Sequence, residues 1–142
     1  MIVKSILIGE DIRQELGNKI SLMGIFGGSL NINVPPQVPK EATVLVQLAF
    51  LVIIENTEPG NNANYFSINV SISLDGTIIS DLKVKIDSIV VDQIVLLPIP
   101  RTNIPITKSS LLSVYAQIFK GETLHSESTA TLNLNFDNAP QT

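Results

Sequence analysis

The chain has 142 residues, 44% of them hydrophobic and only 15% charged, with nine basic against thirteen acidic residues and a formal net charge of -4. That length and apolar content suit one domain with its own core, and they exclude a disordered chain, which needs low hydrophobicity and high charge. The absence of cysteine excludes a disulfide framework, a thiolate nucleophile and a cysteine zinc site, while the acidic balance argues against a phosphate-binding surface and hence against nucleic acid.

Met1 to Ile8 is a short apolar run that meets Gly9-Glu10-Asp11, too brief for a secretory signal. The longest apolar stretch, Val44 to Ile54, is broken by Gln47 and falls well short of the ~18 residues of a membrane helix. A cytoplasmic protein without a membrane segment is expected. The first thirty residues admit two readings. Asp11 and Gln14 could form a capping box closed by Gly17, giving a helix of under two turns. The preferred reading is a hairpin with Ile6, Ile8, Ile12 and Leu16 on one face, Gly17-Asn18 as its turn, and Ile20, Leu22 and Phe26 returning. Gly24-Ile25-Phe26-Gly27-Gly28 reads as a strand bulge or a close backbone approach rather than a phosphate loop, since no Lys-Ser or Lys-Thr follows.

Pro35-Pro36-Gln37-Val38-Pro39 is a stiff loop. Thr43 to Glu55 is a long strand, ended by the breaker-rich run from Asn56 to Asn62. In the stretch from Tyr65 to Leu74, Phe66, Ile68, Val70, Ile72 and Leu74 alternate with Ser67, Asn69, Ser71 and Ser73, the pattern of a half-buried antiparallel strand. Asp75-Gly76 then marks a tight hairpin, because that pair tolerates positive φ at both turn positions. Thr77 to Ile79 resumes the apolar run, and Leu82, Val84 and Ile86 alternate with Lys83, Lys85 and Asp87. Ile89 to Leu97 is a strand cut off by Pro98 and Pro100, which cannot donate to a ladder. Leu112, Val114, Ala116 and Ile118 alternate with Ser113, Tyr115, Gln117 and Phe119. After a turn at Lys120-Gly121-Glu122, Ala130, Leu132, Leu134 and Phe136 face inward, with Thr129, Thr131, Asn133 and Asn135 outward. These elements predict an all-β fold: an antiparallel β-sandwich of immunoglobulin-like or C2-like architecture with about eight strands. It is expected to occupy residues 1–136 as a single domain, followed by a short tail at 137–142.

The run from Gly9 to Gly27, containing Asp11-Ile12-Arg13-Gln14-Glu15 and Lys19-Ile20-Ser21-Leu22-Met23-Gly24-Ile25-Phe26, resembles the opening of a family of small bacterial or phage domains of unknown function. That family opens with D-x-x-R-x-E…N-G-K-x-S-L-x-G-x-F/Y and closes with a strand hairpin such as Leu111 to Leu134. Gly17-Asn18 departs from the family's Asn-Gly order. The resemblance implies a β-sandwich and a bacterial or phage origin, and it carries no activity.

Catalytic and metal chemistry find little footing. His125 is the one imidazole, and in a regular strand it shares a face with Glu127 as an adjacent surface group rather than as part of a triad. Asp75, Asp81, Asp87 and Asp92 are spread singly along strands and turns, which argues against a calcium site, and no cofactor is expected. Saccharide binding would need exposed aromatics, for which Tyr65, Tyr115 and Phe119 are the candidates. The densest polar cluster is Glu10, Asp11, Arg13, Gln14, Glu15 and Lys19. It is either a solvated face that guards a strand edge or a recognition knuckle, with Glu10, Asp11, Arg13, Glu15 and Lys19 as the partner-binding residues. The sequence therefore points to a non-enzymatic protein–protein interaction or assembly module, with a small-ligand or carbohydrate-binding sandwich as the alternative. Leu48 to Ile54 is apolar on both faces and Ile94 to Leu97 repeats the pattern, so a homo-oligomer, most simply a dimer, is expected. The competing expectation is that a loop such as Asn31 to Lys40 covers those strands.

Overall fold

The computed structural model describes residues 1–17, 19–39, 41–56, 66–86 and 94–138. Strands account for 79% of these residues and helices for none. In chain order they are β1 (Ile2–Gly9), β2 (Asp11–Glu15), β3 (Lys19–Met23), β4 (Ser29–Val34), β5 (Val44–Glu55), β6 (Phe66–Leu74), β7 (Thr77–Ile86), β8 (Ile94–Ile106), β9 (Ser110–Lys120) and β10 (Thr123–Asn138). Three sheets result: β1-β5-β8, β4-β10-β9-β6-β7, and the two-stranded hairpin β2-β3.

Period-two patterning builds the core. Ile68, Val70 and Ile72 of β6, Leu112, Val114, Ala116 and Ile118 of β9, and Leu132 and Leu134 of β10 all lose their water, while the residues between them face outward. From the other sheet, Leu48, Phe50, Val52 and Ile54 of β5 and Ile99, Ile104 and Ile106 of β8 join the same cluster, so two sheets share one hydrophobic core. Each fully buried aliphatic side chain contributes about 1.5–3 kcal/mol of transfer free energy. At one end β1 bulges between Val3 and Ser5 and leaves the ladder far enough for the Val3 amide to donate to Ser126 Oγ of β10 at 3.1 Å, joining the two sheets.

The β6–β7 hairpin forms where expected. Asp75 and Gly76 hold φ of 50° and 85°, the left-handed pair that matches the twist of a two-residue turn. Asp75 is then fixed from outside: its amide donates to Leu111 O at 2.9 Å, and Asp75 Oδ1 accepts from the Leu111 amide at 2.9 Å. These bonds tie the turn to the start of β9.

Several expectations are corrected. Among the described residues there are ten strands rather than eight. One addition is β4, whose Leu30, Ile32 and Val34 alternate with asparagines inside a stretch read as part of a covering loop. It runs parallel to β10, with Leu30 opposite Leu134, so the pairing is not antiparallel throughout. The Asn133 amide bonds Gly28 O at 3.0 Å, and this guides the chain onto the sheet edge in that direction. The other addition comes from breaking the first arm at Gly9-Glu10, which separates β1 from β2. Pro98 and Pro100 do not end a strand: β8 runs through them to Ile106. It is an edge strand, where alternate nitrogens face away from the partner and a missing N–H breaks no ladder bond. Pro100 also sits in a bulge, between the pairs Phe50–Ile99 and Leu48–Thr102. Asn18, Thr57 to Asn62, Tyr65, Asp87, Ile89 to Gln93 and the last four residues lie outside the described residues.

Candidate functional site

The expected N-terminal hairpin exists, as β2–β3, but it does not continue the sheet of β1. Asp11–Met23, Ile12–Leu22, Arg13–Ser21, Gln14–Ile20 and Glu15–Lys19 are directly opposite, and opposed residues share a face. One face is therefore Ile12, Leu22 and Ile20 with Gln14; the other carries Asp11, Arg13, Glu15 and Lys19. The apolar face lies on the outward side of the three-stranded sheet, since β2 contacts both β5 and β8. Leu22 reaches Gly9, where an added Cβ would stand 2.9 Å from its Cδ1 and from Met23 O. Gly9 pairs with Ala49, and Pro98, which shares a lining with Ile20 of the hairpin, pairs with Leu51, so the hairpin lies over both of these rows of the sheet. This is why Ala49 and Leu51, on the outward side of β5, are as dry as the core. Asn31 to Val34 pair with β10 in the other sheet and do not form this cover; the acidic hairpin does.

The five expected partner-binding residues separate accordingly. Glu10 stands at the hairpin root, its amide donating to Met23 O at 2.8 Å, and its carboxyl fills the space beside Gly24, whose φ is 63°. The glycine-rich segment from Gly24 to Gly28 is thus a connector between β3 and β4 and not a bulge within a strand. Asp11 is committed inside the molecule: Oδ2 lies 3.2 Å from Arg101 Nη2 and 3.8 Å from Arg13 Nε. Arg101 also donates from Nη1 to Gln47 Oε1 at 3.2 Å, so the β8 bulge clasps the hairpin root. Such exposed pairs contribute about 0–1 kcal/mol each and orient more than they stabilise.

Glu15 and Lys19 stand together at the far end. With Gln14 they rim a notch of about 260 Å³ whose apolar floor is Ile20, Leu96 and Pro98. Leu16, next in the chain after Glu15, is 97% exposed, not on the inner face with Ile12 as its spacing implied. The floor residues were not legible as a site, because Leu96 and Pro98 meet Ile20 only after the hairpin has folded over the edge strand.

A second concavity of about 460 Å³ lies on the outward face of the five-stranded sheet. Ladder pairing puts Tyr115 between Ser71 and Thr129, with Gln117 opposite Asn69 in the next row. Tyr115 donates its phenolic proton to Glu127, and that bond, followed by burial and the carboxylate charge, raises the tyrosine above its ordinary value. Asp81 accepts from Ser71 Oγ at 3.2 Å, and in the amide orientation that satisfies both neighbours, Asn69 Nδ2 donates to Asp81 Oδ1 at 2.7 Å and Leu82 O at 3.1 Å. Of the other expected aromatics, Phe119 is half-buried beside Ser67 and Leu124.

His125 and Glu127 do not share a face. β10 bulges between Leu124 and Ser126, which shifts the alternation by one. His125 packs edge-on against Phe66 at 5.6 Å between centroids, while Glu127 faces Tyr115. Asp75 and Asp81 belong to separate networks, and no group of three metal-ligating side chains occurs among the described residues. No helix among the described residues is long and apolar enough to cross a membrane. The chain matches no family model, and no curated protein matches it.

Proposed function

We propose that this chain is a non-enzymatic assembly module built as a β-sandwich of immunoglobulin or C2 type, acting by protein–protein contact through the tip of its N-terminal hairpin. The occupant of that surface is a second copy of the chain. The observation that carries the reading is Leu16, almost fully exposed beside a notch floored by Ile20, Leu96 and Pro98. Leucine and notch lie side by side in one patch, so a two-fold axis through that patch lets each copy insert its own leucine into the other's notch. Glu15 and Lys19 at the rim carry opposite charges, so a dyad that passes between them sets each opposite its complement in the other copy. Ile94, exposed next to Leu96 on the same edge strand, extends the apolar contact.

Size exclusion with light scattering at micromolar concentration tests this. The expected mass is twice 15.4 kDa for the wild type and 15.4 kDa for Leu16→Asp. That substitution leaves folding intact, because the side chain is in water already. A wild-type mass of 15.4 kDa, or a dimer that survives Leu16→Asp, overturns the reading.

A further inference from the structure

The outward side chains of β6 and β9 have an unusual setting for a solvated sheet face. Asn69, Ser71, Ser73, Ser113, Tyr115 and Gln117 all point away from the core, yet each is half-buried. The face is recessed, and its cavity of about 460 Å³ falls within the size range of small-molecule sites. We propose that this recess, centred on Tyr115, binds a neutral oligosaccharide. The proposal does not rest on self-association through the hairpin.

The lining selects the ligand by chemistry. No lysine or arginine lines the cavity, so an anion would find no counter-charge there. An apolar ligand would strip water from hydroxyls and amides and leave them unpaired. A polyhydroxylated neutral ligand meets neither penalty, because serine, asparagine and glutamine side chains both donate and accept, as sugar hydroxyls do. The two carboxylates on this face are already oriented: Asp81 is held by Ser71 and Asn69, and Glu127 by Tyr115. Groups held in place before binding lose less freedom when the ligand arrives. The Tyr115 ring supplies an apolar platform for the C–H face of a pyranose, and Ile78 a short apolar wall.

The composition provides the assay. There are two tyrosines and no tryptophan, so in Tyr65→Phe all tyrosine emission comes from Tyr115. Maltohexaose, cellohexaose and chitohexaose are titrated to about 5 mM, a range that captures millimolar dissociation constants. The expected result is a saturable change in emission with at least one of them. By calorimetry, Tyr115→Ala should weaken that binding at least about tenfold, while Leu16→Asp binds as the wild type does. Where Tyr115→Ala fails to fold, Ser113→Lys, which fills the recess from its outward side and spares the core, gives the same loss. No saturable change with any of the three, or binding undiminished in the folded variants, overturns the proposal.

Discussion

Two outward-facing leucines on β5 are expected to differ sharply on truncation. Leu51 is 7% exposed because it lies in the row covered by the β2–β3 hairpin, whereas Leu45, on the same strand and face, is 60% exposed. Removing a buried leucine side chain loses about 2 kcal/mol in transfer, and incomplete collapse of the cavity raises the total to about 3 kcal/mol. Leu45→Ala forfeits the covered part of one side chain and leaves no cavity, so its cost is about 1 kcal/mol or less. At about 3 °C per kcal/mol for a chain of this size, Leu51→Ala lowers Tm by about 9 °C and Leu45→Ala by no more than about 3 °C. Urea unfolding followed by circular dichroism gives the same comparison, with the midpoint displaced and the slope unchanged for both variants. Equal losses for the two would refute the reasoning, because Leu51 has the hairpin above it and Leu7 and Pro98 on either side, whereas Leu45 has Pro105 on one side alone.

Gly9→Ala should lift the hairpin from the sheet, since the added Cβ meets Leu22 Cδ1 and Met23 O at 2.9 Å. A loss of about 1–3 kcal/mol is expected, as for other overpacked sites, with faster amide exchange in residues 11–23 as the diagnostic reading. Asp75 is held below its ordinary value chiefly by the Leu111 amide, with help from the Ser110 hydroxyl and Lys108. A carboxylate depressed in the folded state adds stability above its unfolded value of about 4, and that contribution is lost as pH falls through the folded value. Asp75→Asn, which still tolerates positive φ, should therefore flatten the acid side of the Tm–pH curve relative to the wild type. An unchanged acid limb would remove the Asp75–Leu111 bond from the account.

Four strands of the five-stranded sheet, β6, β7, β9 and β10, were legible because their information is local, whereas β4 was not, since its place is set by its pairing with β10. Ile68, Val70 and Ile72 are buried and Leu112 through Ile118 alternate as written, for a period of two needs no knowledge of the partner strand. Asp75-Gly76 was legible for the same reason: both positions require left-handed backbone, and few residue pairs accept it. The polar alternation of β6 and β9 was visible too, although not that it would line a recess around Tyr115.

What the tertiary structure decided depends on which elements become neighbours. Pro98 and Pro100 read as breakers until β8 proves to be an edge strand, where an absent N–H has nothing to bond. The bulge at His125 is invisible in a sequence whose alternation slips by one residue without any glycine or proline to announce it. The double-sided apolar run of β5 specified only that both faces must be covered. Whether the cover comes from a second chain, from the Asn31 to Lys40 segment or from the hairpin is a question of chain path, and Gly9 answers it for Ala49 and Leu51 by admitting Leu22 where any side chain would have kept it out.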